Sequence, residues 1–519
     1  MKAITIASVL CLLAHTVSGA AIPLDIEERQ IQPISTVTGP VGTSYIYALA
    51  SPIPDNIASQ LAAAVSVVPT STTVVLSDGG VQSTSVVGEV PVASSPAPAP
   101  GAYTPGYRNI GYYGTWYIFD RKFMPSDIIT SQWTHIMAGF WDVGASGQIA
   151  PKDPWSDIQS IKLPNPSTVK GALNGVFEQM FRLKNENRNL KIMLSVGGWL
   201  ATSEGQWGAS LATPEQRNTF AKSAARAVMD LGLDGIDLDW EYPLNDVETA
   251  AHVDTLRLLR QELDVAGNIL GVNRHLFLSM AAPIGAHFIK TINIPEANKY
   301  VDFFNLMSYD MGGAGFSKVS THAANFFMAT DGSTEFCFVD GFEMYLAAGV
   351  PTSKLNVLDP IYGHSFAGTD GPGTPFTGPG VGSWGELGTP DYNQILQGGD
   401  NVVFEDEKIM ASWTYNKQTR QMISFDTPRI IELKTQYLLT RGVGGIGFFG
   451  LNADKWTVSE NLVNTALEVL GGTSTLEQAE NHIIYKDSQY PNVRVYDGVK
   501  VVPGKTLVGA ATDRSPSYD

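Results

Sequence analysis

Asp237, Asp239 and Glu241 occupy every second position of the stretch Asp234-Gly-Ile-Asp-Leu-Asp-Trp-Glu-Tyr-Pro. Successive side chains of an extended strand point to opposite faces, so the three acids share one face. Ile236, Leu238 and Trp240 share the other and can pack against helices. Carboxylates about 7 Å apart along an enclosed strand cannot all ionise cheaply, so a proton is shared and at least one pKa rises. A carboxyl group kept protonated near neutrality is a general acid, and Glu241, last of the three, is the residue expected to act as one. Acid clusters also hold Mg²⁺ or Ca²⁺. The chain has no His-Glu-x-x-His and no calcium-loop spacing, and its eight histidines are scattered singly, so neither a metal nor another cofactor is expected.

Such a strand must be enclosed on both faces, and the surrounding sequence supplies the means. NIGYYGTWY (109–117), THIMAGFW (134–141), LKIMLSVGG (190–198), LDGIDLDWE (233–241), LFLSMAAP (276–283), VDFFNLMSYD (301–310), LNVLDPIYG (355–363) and VGGIGFFGL (443–451) read as buried strands. Eight such runs separated by helical segments predict an α/β fold, a parallel (β/α)₈ TIM barrel, with Glu241 at the C-terminal mouth where barrel enzymes keep their chemistry. Before the fourth strand, Thr213, Pro214 and Gln216 read as a capped helix start, with Phe220, Ala224, Ala227, Val228 and Leu231 along one stripe. A second helix starts at Thr427-Pro428 and carries Ile430, Ile431, Leu433, Tyr437 and Leu438. About sixty residues separate the seventh strand from that helix, too many for a simple connection. Gly and Pro turns followed by the hairpin-like ASWTYNKQTRQMISFD predict a small α+β insertion over about 366–426.

The barrel and insertion are expected over 106–471, followed by a polar tail (472–519) in which NVRVYDG reads as a strand. Ahead of the barrel, residues 1–20 combine Lys2, an apolar run from Ile4 to Ala14 and small residues up to Ala20, the pattern of a removable export signal. That run is far short of the roughly 20 residues a membrane span needs. Residues 21–105, with runs such as PTSTTVV and VASSPAPAPG, read as a flexible, partly extended leader; STTVVL and TSVVGEV give a small strand-rich domain as the alternative. Export implies a secreted protein, yet Cys337 alone would remain after removal of Cys11 with the signal, so a large core must replace disulfides. With 34 Lys plus Arg against 51 Asp plus Glu, the net charge of −17 argues against nucleic acid as a partner. Two Gly-x-Gly-x-x-Gly matches, at Gly380 and Gly445, do not open a helix after a strand and are rejected as nucleotide sites.

The motif Asp234-x-x-Asp237-x-Asp239-x-Glu241 resembles the signature of glycoside hydrolase family 18, the chitinases and related lectins. Ser195-Val-Gly197-Gly198, Met307-Ser-Tyr309-Asp310 and the segment around Tyr362-Gly363 resemble that family's third-, sixth- and seventh-strand motifs, and the rim segment its insertion domain. The resemblance implies a retaining mechanism in which the substrate's own acetamido oxygen attacks the anomeric carbon. Glu241 would then protonate the glycosidic oxygen, Asp239 orient the acetamido group, Asp237 hold Asp239, and Tyr309 bond the acetamido carbonyl. Asp310 and Met307 belong to the sugar-binding set, and Tyr113, Phe140, Trp199, Tyr362, Phe449 and Trp384 are expected to contact sugar rings. The chain departs from the family pattern at His364, where Arg is usual, and at Phe449, where Trp is usual; both bear on the tightness of the central subsite. The implied partner is chitin or an N-acetylglucosamine oligosaccharide, bound by a monomer. A chitin-binding lectin and an endo-β-N-acetylglucosaminidase are the alternatives on the same fold.

Overall fold

The computed structural model describes residues 33–39, 42–47, 106–203, 206–271 and 274–509. The expected signal lies outside these residues, as does most of the leader, including STTVVL and TSVVGEV. Within the leader, Pro33–Gly39 and Gly42–Tyr47 pair as an antiparallel hairpin.

Eight strands form the barrel: β1 (Arg108–Gly114), β2 (His135–Val143), β3 (Lys191–Gly197), β4 (Gly235–Asp239), β5 (Phe277–Pro283), β6 (Phe303–Met307), β7 (Leu355–Pro360) and β8 (Gly445–Phe449). Each pairs in parallel with its neighbours, and β1 pairs with both β2 and β8, so the sheet closes. The fold is a (β/α)₈ barrel. All eight strands fall inside the apolar runs or within two residues of them, because a strand covered on both faces must be apolar almost throughout.

The main covering helices are α1 (Gly175–Glu186), α2 (Pro214–Leu231), α3 (Asp246–Leu270), α4 (Phe338–Ala347), α5 (Pro428–Arg441) and α6 (Leu462–Leu470). On α2 the predicted capping box forms, with the Thr213 hydroxyl accepting from the Gln216 N–H and the Gln216 side chain reaching back. Phe220, Ala224, Ala227, Val228 and Leu231 are all buried against the sheet. Gly232 ends the helix at φ 71°, a left-handed turn that a side chain would strain. On α5, Ile430, Ile431 and Leu438 are buried, whereas Leu433 and Tyr437 lie at the margin.

Between β7 and α5 the chain builds a five-stranded antiparallel sheet, in the spatial order Gly378–Pro379, His364–Ala367, Gln421–Phe425, Ala411–Asn416, Asn401–Asp406. It stands on the mouth of the barrel beside the end of β7.

The tail differs from the sequence reading. Pro491–Arg494 is a single helical turn, not a strand. Asn492 bonds both ways with the backbone of Leu173, and Val493 is buried, so tertiary contacts override the β-branched alternation. Cys337 is free and buried, as a small apolar residue would be. Among the described residues no helix is long and apolar enough to cross a membrane.

Candidate active site

The barrel lumen is built around Asp237. Its carboxylate accepts hydrogen bonds from Ser195 Oγ of β3 (2.8 Å), Tyr112 Oη of β1 (3.0 Å), Ser279 Oγ of β5 (2.6 Å) and Asn305 Nδ2 of β6 (3.2 Å). Burial still raises its pKa, since those four bonds offset the loss of water only in part. The polar chain runs on downwards: Asn356 donates to Asn305 (3.0 Å), and Arg108 Nε to Asn356 (2.8 Å). Five residues of this polar chain, Arg108, Tyr112, Ser279, Asn305 and Asn356, carry no signal in the sequence that marks them as lumen residues.

One step towards the mouth lies Asp239, the last residue of β4. It is buried, and its Oδ1 has no hydrogen-bond partner among the described residues. Burial, then the charges of Glu241 and Asp237, push its carboxyl well above the ordinary range. The glycines of the third-strand motif explain how it is approached so closely. Gly198 N–H donates to the Asp239 carbonyl (2.9 Å), and a Cβ on Gly197, at φ 121°, would sit 2.1 Å from that same oxygen.

Glu241 lies two residues past the strand end and is half-buried. Its N–H is held by Thr202 Oγ1 (3.1 Å), and its Oε2 accepts from Tyr242 Oη (3.3 Å). Burial, then the charge of Asp310, raise its pKa to about 7. Behind it Trp240 points away from the lumen and stacks on Trp207 with centroids 5.4 Å apart, as strand alternation requires.

The opposite side of the mouth is aromatic. Phe449 ends β8 with its ring centroid 5.8 Å from Tyr309, 6.0 Å from Tyr112 and 6.1 Å from Tyr362. Burial holds the Tyr309 hydroxyl well above its usual pKa, so it remains a donor. Asp310 follows at φ 54°, and its Oδ1 accepts from both Tyr362 Oη and His364 Nε2, each at 2.7 Å. Partial loss of water would raise the pKa of the half-exposed Asp310, but the bonds and charge of His364 and the Tyr362 bond outweigh it and hold the carboxyl below its usual value.

The structure brings together Asp237, Asp239, Glu241, Tyr309, Asp310, Tyr362 and Phe449. Met307 is buried at the end of β6 as part of the wall. Phe140 stacks on Trp116 at 6.1 Å, and Trp116, which is 38% exposed, is a further aromatic beyond those expected to contact sugar. Trp199 is 58% exposed just beyond β3, and Trp384 stands on the insertion, its Nε1 donating to Asp391 (2.7 Å). Tyr113 is a correction: at 1% exposure, with its hydroxyl on the Phe123 carbonyl (2.8 Å), it is core. The alternation of β1 turns Tyr112 into the lumen and its neighbour Tyr113 out.

A closed parallel barrel whose mouth gathers a proton-bearing glutamate, a buried aspartate pair and an aromatic floor defines a barrel hydrolase acting on sugars. The family described as Glycosyl hydrolases family 18 matches residues 108–454, and the chain belongs to that family. Endochitinase 1 of Metarhizium robertsii is 37% identical over 406 residues, covering 77% of this chain and 93% of the relative. Chitinase 1 of Aphanocladium album is 34% identical over 392 residues, covering 75% and 90%. The catalytic domain of the psychrophilic chitinase B from Arthrobacter TAD20 superposes with a TM-score of 0.65 at 24% identity, covering 73% of this chain and 99% of that one, a likeness of fold.

Proposed function

We propose that this chain hydrolyses β-1,4 linkages between the N-acetylglucosamine units of chitin, with retention, using the substrate's acetamido group as nucleophile. The observation that carries the reading is the pairing of Glu241, whose pKa is raised to about 7, with Asp239, whose buried Oδ1 lacks a partner among the described residues. Protonated Glu241 gives its proton to the glycosidic oxygen as the C–O bond breaks. The acetamido oxygen attacks the anomeric carbon from the other face, and Asp239 accepts a hydrogen bond from the acetamido N–H and balances the positive oxazolinium. Tyr309 donates to the acetamido oxygen and holds it at attack distance. Glu241, now ionised, takes a proton from the water that opens the ring intermediate. Phe449 supplies a flat apolar face for the sugar, and Asp310 accepts from a sugar hydroxyl. The relatives named endochitinase and chitinase support the same substrate. The N-terminal 20 residues support export, with residues 21–105 as a leader to the barrel.

Purified protein is expected to release soluble N-acetylglucosamine oligosaccharides from chitin, and Glu241→Gln to lower kcat at least about 10³-fold while oligosaccharide binding persists. Binding without release by the wild-type protein would make it a lectin. Release from a high-mannose glycopeptide but not from chitin would make it an endo-β-N-acetylglucosaminidase.

A further inference from the structure

In a closed ring of eight strands, β4 and β8 lie four places apart, so Glu241 and Phe449 face each other across the mouth. Glu241 protonates the leaving group, and the sugar chain on its side of the cleft departs. The retained, non-reducing portion therefore extends past Phe449, towards the quarter formed by β7, β8 and β1. There the structure holds a cavity of about 220 Å³, lined among others by Asp310, Tyr362, His364 and Phe449. It is smaller than the roughly 300–1,000 Å³ of pockets that enclose a whole drug-sized ligand, and suits one sugar ring.

Two residues that line this cavity, from separate segments, touch each other. Arg121, in the loop after β1, lies with Nη2 3.5 Å from Glu386 Oε1 on the insertion. An exposed ion pair of this kind contributes little alone. Here the guanidinium also lies over the rings of Tyr117 (5.3 Å) and Trp384 (6.0 Å). Trp384 is in turn fixed by Asp391, which also accepts from Asn452 Nδ2 (2.9 Å). Arg121 Nε is buried and without a hydrogen-bond partner among the described residues. A buried donor of this kind is satisfied when a ligand brings an acceptor.

We infer that Arg121 and Glu386 wall off the non-reducing end of the cleft and set the length of the product: one ring over Phe449, one in the cavity, and a terminal hydroxyl or acetamido oxygen on Arg121 Nε. This rests on the reading of the chain as a chitin hydrolase. Arg121 and Glu386 determine specificity and take no part in bond breaking, and the enzyme removes disaccharides from non-reducing ends.

The test is digestion of an N-acetylglucosamine hexamer tagged at its reducing end, with untagged products sized by mass spectrometry. The wild type is expected to release untagged dimers. Arg121→Ala, and independently Glu386→Ala at an exposed position that cannot harm the fold, should raise the trimer-to-dimer ratio about tenfold, the effect of about 1.4 kcal/mol. Arg121→Glu combined with Glu386→Arg should return it towards the wild-type value. An unchanged ratio in both active single variants, or untagged trimers as the main wild-type product, overturns the wall and leaves the hydrolase reading standing. No hydrolysis by the wild type overturns the hydrolase reading itself.

Discussion

At the mouth, four carboxyl groups lie close enough to feel one another, and the protein drives them apart. Asp237, Asp239 and Glu241 are pushed upwards by burial, while Asp310 is held down by His364 and Tyr362. Charge on Asp310 favours the proton on Glu241, so the acid that must give a proton keeps it up to about pH 7. The alkaline limb of kcat/KM is therefore expected to fall through about pH 7, and Glu241→Asp to displace or abolish it. Stability carries the same signature. The folded state binds the Glu241 proton more tightly than the unfolded chain, so its contribution is complete below about pH 4.5 and is lost as pH rises through about 7. Glu241→Gln, neutral at every pH, should melt higher than the wild type at pH 8, with the difference closing by pH 5; an equal difference at both would remove Glu241 as the titrating group. The acid triad was legible because strand alternation is a strict rule once the strand is recognised. The same rule misassigned Tyr113 for Tyr112, since two adjacent tyrosines in an all-apolar run give no sign of which one faces the lumen.

At the scale of elements, the segment that carries Tyr362 and His364 needs an anchor, because it leaves the barrel and does not return for about sixty residues. Lys434 of α5 supplies it. Its ammonium bonds Asp359, just before the chain departs from β7, at 3.2 Å and Asp426, just as it returns, at 2.6 Å, with all three groups buried. The two ends of the insertion are thus tied at one point, three residues from Tyr362. Lys434→Met would strand two buried carboxyls, a loss of about 3–5 kcal/mol. Denaturant titration should register that loss, and KM for chitin oligomers should rise as the Asp310 contacts loosen; a KM unchanged in the folded variant would confine the triad to stability. The barrel strands were legible because burial on both faces demands continuous apolar runs. The insertion was legible as excess length and one hairpin, but its five-stranded order was not, since the outer strand Asn401–Asp406 mixes charged and apolar residues and is largely exposed.

Taken whole, the barrel separates chemistry from cohesion by its two ends. Asp234, first of the motif's acids, does not reach the site: it lies before β4 at the opposite end, accepting from Ile192 N–H (2.8 Å), pairing with Lys184 (2.7 Å) and accepting from His482 N–H (3.1 Å). His482 belongs to the tail, whose residues 477–485 lie against this floor. Asn481 donates to the Lys184 and Leu190 carbonyls, Lys191 pairs with Glu477 (2.9 Å), and the Tyr485 hydroxyl bonds the Leu233 carbonyl (2.5 Å) and accepts from Lys184 (3.2 Å). None of this was legible, because Leu476, Tyr485, Val493 and Val501 are buried at spacings that match no helix or strand period. A chain without disulfides among its described residues uses the tail as a clasp, adding Glu477 and the Tyr485 hydroxyl to the partners of the buried Lys191 and Lys184. Tyr485→Phe and Asn481→Ala should each lower unfolding free energy by about 1–3 kcal/mol, since each leaves buried carbonyls unpaired. Both should leave KM and the pH profile unchanged, because the substitutions lie at the end of the barrel away from Glu241. Denaturant titration beside kinetics on the same preparations checks both halves, and a shifted pH profile in either variant would mean that floor and mouth are coupled through the lumen chain from Arg108 to Asp237.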